Sequence, residues 1–184
     1  MFPAIETDRL RLREIEDKDS QALFDCFSKD KVTQFYGQDN MASIEQAQRL
    51  VELFATNFKS KRGIRWGIER KDSPGLIGTI GYNAWLPQYQ RAEIGYELHP
   101  DFWHQGYMTE AINSIITYGF EKMNLNRIGA VVFLENEPSN QLLEKLGFQK
   151  EGVLRKYMVQ NGVAHDTYMY GLLLEEVKRG DIHA

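Results

Sequence analysis

The sequence predicts a single mixed α/β domain of the α+β class, in which a mostly antiparallel sheet carries helices on both faces. Several short segments alternate apolar and polar residues, which is the period of a half-buried strand. Longer segments between them repeat apolar residues at helical spacing. Near the middle of the chain a strand, a helix and another strand follow one another, which indicates one parallel crossover in the sheet.

The bulk composition is that of a globular protein with no direct role in binding nucleic acid or membrane. The chain has 184 residues, enough for one domain over residues 1–184 with its core within about residues 7–176. Its net charge of −4 disfavours a nucleic-acid surface, which usually carries a basic patch. The one cysteine, Cys26, excludes an intrachain disulfide. Since neither a signal peptide nor a membrane span is evident, we expect a cytoplasmic location.

The first third of the chain predicts one strand and two helices. Arginine and leucine alternate over Arg9–Arg13, which indicates a strand with one solvated face. Asp17 and Asp19 then open a short helix that continues to Phe27. Ser43 is typical of an N-cap, and apolar residues at helical spacing behind it predict a longer amphipathic helix.

Three further strands follow in the middle of the chain. Ile64–Ile68 and Leu76–Tyr82 flank a turn at Asp72–Gly75, so these two strands are expected to pair as an antiparallel hairpin. The fourth strand, Arg91–Leu98, ends before Pro100 because proline cannot donate to a ladder. Its two faces carry different residues: Ala92, Ile94, Tyr96 and Leu98 on one, and Glu93, Gly95 and Glu97 on the other.

The last part of the chain predicts two helices and three strands. In order they are a loop and long helix over Trp103–Met123, an apolar strand over Arg127–Leu134, a helix from Pro138 to Leu146, and two strands over Phe148–Gln160 and Val163–Leu174. Asn161-Gly162 between the last two strands is a strong hairpin signal. We expect the terminal residues, 179–184, to be frayed.

The loop before the long helix is suited to bind an anion. A helix N-terminus presents unpaired N–H groups and the positive end of the helix dipole, which favour a phosphate. Gly106 at this junction lets the backbone turn and approach a ligand closely. An ordinary connection between a loop and a helix explains the same residues equally well, so this motif alone leaves both interpretations open.

Three segments in fixed order resemble a known family. They are Ala92–Tyr96, the Gly106 loop with its helix, and Asn136–Asn140 leading to Glu144–Phe148. Together they resemble the GNAT superfamily of acyl-CoA-dependent N-acetyltransferases, and within it the branch that acetylates the N-terminal alanine or serine of ribosomal proteins. The resemblance implies an acetyl-CoA site between the fourth and fifth predicted strands, which form a parallel pair that splays apart.

The resemblance also implies which residues hold acetyl-CoA. The family's phosphate loop, Gln/Arg-x-x-Gly-x-Gly/Ala, aligns with Trp103–Met108, where Trp103 and Met108 depart from it. The resemblance assigns the pyrophosphate to four backbone amides and the Thr109 hydroxyl, the amides being those of Gln105, Gly106, Tyr107 and Met108. His104 near the phosphates is either a charged donor or a solvent-exposed side chain.

The pantetheine arm is assigned to two further pairs of residues. By resemblance, the backbone of Leu98 and His99 pairs with the arm as a strand would. Asn136 and Asn140 would contact it through their side chains. Helix capping is the alternative role for both asparagines, and capping can also position a residue for binding.

The catalytic candidates are a serine and a glutamate. Many superfamily members use a helical tyrosine to protonate the leaving thiolate, but Leu143 stands at that position. Ser139 takes this role in the ribosomal branch, and its alternative role is that of a first-turn helix residue. Glu93 aligns with the acidic residue of some members, so it is a candidate general base. A structural ion pair for Glu93, or a base that acts through water, is the alternative.

The amine acceptor is the least determined part of the reaction. An α-amine has a pKa of about 7.7–8.0 against about 10.4 for lysine, so a protein N-terminus needs less help with deprotonation. The expected acceptor walls are the first two helices, Phe35–Gly37 and the Tyr157–Tyr168 hairpin. Polyamine, antibiotic or amino-acid acceptors and a non-catalytic CoA-binding module are the alternatives. No metal is expected because the four histidines lack ligand spacing, and a homo-oligomer is compatible with the resemblance.

Overall fold

One eight-stranded sheet organises the chain, in the order β1-β2-β3-β4-β5-β6-β8-β7. The computed structural model describes residues 1–178, so the expected fraying of residues 179–184 lies outside the described residues. The strands are β1 (Ile5–Glu6), β2 (Leu10–Arg13), β3 (Ile64–Arg70), β4 (Ser73–Leu86), β5 (Arg91–Leu98), β6 (Arg127–Phe133), β7 (Gln149–Gln160) and β8 (Val163–Leu173). Every neighbouring pair is antiparallel except β5 and β6, which are parallel. The predicted mixed, mostly antiparallel sheet is confirmed.

Six helices cover the two faces of the sheet. They are α1 (Ser20–Phe27), α2 (Asp30–Thr33), α3 (Ile44–Lys59), α4 (Tyr107–Glu121), α5 (Glu137–Lys145) and α6 (Leu174–Lys178). Buried residues of α4 and α5 join the main apolar cluster on one face, around Trp66 and Ile80. Buried residues of α1 and α3 form a second cluster with Ile15 on the other face. Among the described residues, none of the helices has the length and apolar character needed to span a membrane.

Local sequence signals place α3 and the last hairpin as expected. Ser43 caps α3, and its N–H donates to the Gln46 side chain at 3.3 Å. Asn161 and Gly162 both adopt positive φ, at 50° and 74°, which is the backbone that a two-residue hairpin turn requires. Capping and turn chemistry act over a few residues, so the sequence alone can indicate them.

Three short elements and one turn differ from the sequence expectation. β1, α2 and α6 have two, four and five residues, too short to show a hydrophobic period. The β3–β4 connection is at Lys71–Asp72 rather than at Asp72–Gly75, because Ser73 already pairs with Arg70. Pro74 and Gly75 then fall in an irregular stretch of β4, where proline's missing N–H costs no ladder bond.

The sheet opens between β5 and β6. These strands pair only from Arg91↔Arg127 to Glu93↔Gly129. Beyond that point β5 stays with β4 down to Leu98↔Gly78, while β6 stays with β8 up to Phe133↔Thr167. We call the resulting opening the β5–β6 gap. The parallel pair therefore splays apart as the resemblance implied.

Candidate active site

A cavity of about 720 Å³ lies at the β5–β6 gap and reaches both faces of the sheet. Residues from both faces of β5 line it: Glu93, Ile94, Gly95, Tyr96, Glu97 and Leu98. On one face the cavity is bounded by the starts of α4 and α5. On the other it is bounded by α3, residues 31–38 and Met158. A ligand in the cavity can thus be reached by a second ligand from the opposite face of the sheet.

The N-terminus of α4 forms one wall of this cavity. Gly106 is its N-cap, with a left-handed φ of 78°, and His104 is also left-handed at 60°. The N–H groups of the first helical turn have no acceptor within the helix. Tyr107, Met108 and Thr109 supply these groups and line the cavity. The Thr109 hydroxyl has no hydrogen-bond partner among the described residues, so it is free to bind a ligand.

Arg9 braces the loop from outside the cavity. Its Nη1 donates to the Gln105 carbonyl at 2.9 Å, and its Nε pairs with Glu110 at 2.7 Å. The guanidinium also lies 4.6 Å from the centre of the Tyr107 ring. Burial raises the pKa of Glu110, but hydrogen bonds from Thr7 and Arg9 outweigh it and lower that pKa. Gln105 therefore contacts Arg9 outside the cavity and does not line it.

Ser139 meets a tyrosine hydroxyl inside the cavity. Asn136 caps α5 by accepting from the Ser139 N–H at 3.4 Å, so its capping role is present. The Ser139 Oγ lies 2.7 Å from the Tyr96 Oη across the β5–β6 gap. Burial raises the pKa of Tyr96 to about 12, which keeps the phenol protonated at neutral pH. Sequence reasoning treated Tyr96 only as part of an apolar face and missed this pair.

Leu98 lines the cavity, whereas His99 does not. The His99 N–H donates to the Ile77 carbonyl at 2.8 Å, and the His99 carbonyl accepts from the Phe102 N–H at 3.0 Å. Both backbone groups of His99 are engaged within the protein, so the expectation that they pair with the pantetheine arm is not supported. The N–H and C=O groups of successive strand residues point to opposite sides of the strand. Those of Tyr96 and Leu98 therefore point toward the gap. The Leu98 carbonyl already accepts from Trp103 at 2.7 Å.

Asn140 has a structural role rather than the expected contact with the arm. Its Nδ2 donates to the carbonyls of Phe133 and Leu134 at 3.2 and 3.3 Å. Its Oδ1 accepts from the Tyr170 hydroxyl at 2.9 Å. The side chain is buried and absent from the cavity lining. It fastens α5 to the end of β6, and the expectation of a direct ligand contact is corrected.

The two carboxylates of β5 have different environments. Glu93 is half-buried on the cavity wall, and its carboxylate makes neither a hydrogen bond nor an ion pair with any described residue. Glu97 is buried and ion-paired with Arg65. Burial raises the pKa of Glu97, and Arg65 opposes that shift. Arg65 also donates to Thr79 at 2.7 Å and to Tyr36 at 3.2 Å. The sequence left a structural ion pair open for Glu93, but it is Glu97 that forms one, with Arg65.

The face opposite α4 and α5 is closed by a segment that the last hairpin holds. α3, Phe35–Gly37 and Met158 line this side as expected, whereas α1 does not reach the cavity. Gln160 donates to the Thr33 carbonyl at 2.7 Å and accepts from the Gly37 N–H at 3.0 Å. The hairpin thus fixes the wall at Phe35–Gly37. Within residues 1–178, no cluster of three or more histidine, cysteine or acidic residues is placed to hold a metal ion.

Comparison with known proteins gives one consistent family. Residues 9–149 match the acetyltransferase (GNAT) domain. The uncharacterized N-acetyltransferase YoaA of Bacillus subtilis is 56% identical over 173 residues, covering 94% of this chain and 98% of that protein. The [ribosomal protein uS5]-alanine N-acetyltransferase of Escherichia coli is 24% identical over 173 residues, covering 91% and 89%.

A solved structure extends this comparison to the fold. RimL, the ribosomal L7/L12 alpha-N-protein acetyltransferase, in complex with coenzyme A, superposes with a TM-score of 0.82 at 22% identity. The match covers 94% of this chain and 99% of that one. The family match and the 56% identity to YoaA confirm the resemblance to the GNAT acetyltransferases that was seen in the sequence.

Proposed function

Because this chain belongs to the GNAT acetyltransferase family and is an N-acetyltransferase, we propose that it acetylates the N-terminal α-amine of a protein, with acetyl-CoA as donor. A ribosomal protein is the first candidate acceptor. The observation that carries the proposal is the β5–β6 gap, where one cavity joins the N-terminus of α4 on one face of the sheet to α3 and Phe35–Gly37 on the other. Synthesis of such an acceptor takes place in the cytoplasm, where we place the enzyme.

The cavity offers groups suited to each part of acetyl-CoA. The amides of Tyr107 and Met108, with the Thr109 hydroxyl, would bind the pyrophosphate at the positive end of α4. The backbone of Tyr96 and the Leu98 N–H would pair with the pantetheine arm along the open edge of β5. When bound, acetyl-CoA supplies an activated acetyl thioester in the gap.

The residues around the gap supply the remaining chemistry of acetyl transfer. The neutral amine forms the new C–N bond, and the C–S bond breaks with its electron pair on sulfur. Glu93, directly or through water, accepts the proton that the nitrogen loses. Ser139 hydrogen-bonds the leaving sulfur and protonates it, and the serine regains its proton from water. One proton leaves the nitrogen and one reaches the sulfur, so none is consumed.

Two features support an α-amine over a lysine side chain. Glu97 is ion-paired with Arg65, which leaves Glu93 as the single carboxylate of the cavity wall that can assist deprotonation. An α-amine, with a pKa near about 7.7–8.0, is already partly neutral at physiological pH. The names of two similar proteins add support. The E. coli relative is named for an alanine of ribosomal protein uS5, and RimL is named for the α-amine of ribosomal protein L7/L12.

An acceptor screen tests this proposal. Purified enzyme and acetyl-CoA are incubated with peptides that start with alanine or serine, with polyamines, with aminoglycosides and with free amino acids. Products are identified by mass, and thiol release is followed in parallel. We expect acetylated peptide N-termini. Acetylation of small amines alone would show that the acceptor is a small molecule rather than a protein N-terminus. Acetyl-CoA binding without thiol release for any acceptor would indicate a non-catalytic CoA-binding module.

A further inference from the structure

The Ser139 hydroxyl makes no hydrogen bond to the described backbone of its own helix, α5. Serine in a helix commonly donates to a carbonyl three or four residues earlier. Here neither the Asn136 carbonyl nor the Glu135 carbonyl accepts a hydrogen bond from the Ser139 hydroxyl. Tyr96 is the one hydrogen-bond partner of the Ser139 hydroxyl among the described residues. The orientation of this hydroxyl therefore depends on β5 rather than on α5.

Among the described residues, Ser139 is the hydrogen-bond partner of the Tyr96 hydroxyl. Tyr96 lies on β5 beyond the last β5–β6 pair, on the face that carries Ile94 and Leu98. Its ring packs against the main apolar cluster. The pKa of about 12 means that the hydroxyl holds its proton at neutral pH, and a phenol is a better hydrogen-bond donor than an alcohol.

Resting on the donor role proposed for Ser139, we infer that Tyr96 is a positioning residue that donates to the Ser139 Oγ and directs the serine's own hydrogen at the leaving sulfur. A hydroxyl that accepts one hydrogen bond becomes a stronger donor in its other bond. Tyr96 keeps its proton throughout, so the bonds made and broken are those of acetyl transfer itself. The phenol absent at Leu143 is thus supplied from the neighbouring strand, acting through Ser139.

Tyr96→Phe tests the inference because it removes one oxygen and keeps the ring. We expect kcat to fall about tenfold, part of the about 10²–10⁴-fold that a positioned proton donor contributes. The KM for acetyl-CoA and its Kd by calorimetry should stay within about twofold. Tyr118→Phe is the matched control, since Tyr118 packs on Trp66 away from the cavity and its hydroxyl has no hydrogen-bond partner among the described residues. Thermal melting checks that each variant is folded.

The double variant separates positioning from independent action. If Tyr96 acts through Ser139, adding Tyr96→Phe to Ser139→Ala lowers kcat no further. An additional tenfold loss in the double variant would overturn the inference, because Tyr96 would then act by itself. An unchanged kcat for Tyr96→Phe would also overturn it. A normal kcat for Ser139→Ala would instead refute the donor role proposed for that serine, whatever Tyr96→Phe does.

Discussion

Gly106→Ala tests whether the start of α4 is both strained and ligand-binding. Gly106 has a φ of 78°, and an added Cβ would lie 3.3 Å from the Arg9 Nη2. A left-handed conformation costs an L-residue about 1–2 kcal/mol, and the flexible Arg9 end can move aside. For a chain of this size each kcal/mol lowers Tm by about 2–4 °C, so we expect Tm to fall by about 2–8 °C.

The same substitution should weaken acetyl-CoA binding. Relaxation of the αL residue reorients the Tyr107 and Met108 N–H groups, and losing one hydrogen bond to a charged group costs about 1.5–3 kcal/mol. We expect calorimetry to show a Kd raised about tenfold or more. Gly152→Ala is the control, because an added Cβ there meets nothing within 4 Å and φ is not left-handed. A lowered Tm with an unchanged Kd would refute pyrophosphate binding at this helix end, and an unchanged Tm would refute the strain.

Two further predictions concern the acceptor wall and acid stability. Gln160→Ala should raise the acceptor KM several-fold, because Gln160 holds Gly37 in the acceptor wall. The acetyl-CoA Kd should stay unchanged. Steady-state kinetics measures the KM and calorimetry the Kd, and a parallel change in both constants would contradict this prediction. Arg13 binds Asp19 through two bonds of 2.8 and 2.9 Å, and despite burial the pKa of Asp19 is lowered. Asp19→Asn should therefore cost about 1.5–3 kcal/mol at pH 7, measured by denaturant unfolding. A lowered pKa stabilises the fold above about pH 4, so this difference should shrink at lower pH, and a pH-independent difference would contradict the assignment.

The sequence was informative where structure is local. The Gly106 turn, the Ser43 cap and the Asn161-Gly162 hairpin each depend on a few adjacent residues, and the structure has all three. The β5–β6 gap was available only through resemblance. Periodicity within Arg91–Leu98 says nothing about where a neighbouring strand departs.

Side-chain partners distant in the chain were beyond sequence reasoning. Tyr96 and Ser139 are 43 positions apart, and the alternation that put Tyr96 on an apolar face carries no information about its hydroxyl. Asn140 was assigned to the ligand by resemblance, and its three protein partners, which lie on β6, on β8 and just after β6, could not be found from the sequence. A usable signal existed for Arg65, since an arginine between Ile64 and Trp66 in a buried strand requires a charged partner.

The most direct test of the central claim is where the enzyme places the acetyl group. A peptide that begins with serine and contains an internal lysine is incubated with enzyme and acetyl-CoA, and fragment masses locate the modification. The same peptide with a blocked N-terminus is the control. We predict acetylation of the free N-terminus and none of the blocked peptide. Acetylation of the lysine in both peptides would contradict the proposal of an α-amine acceptor.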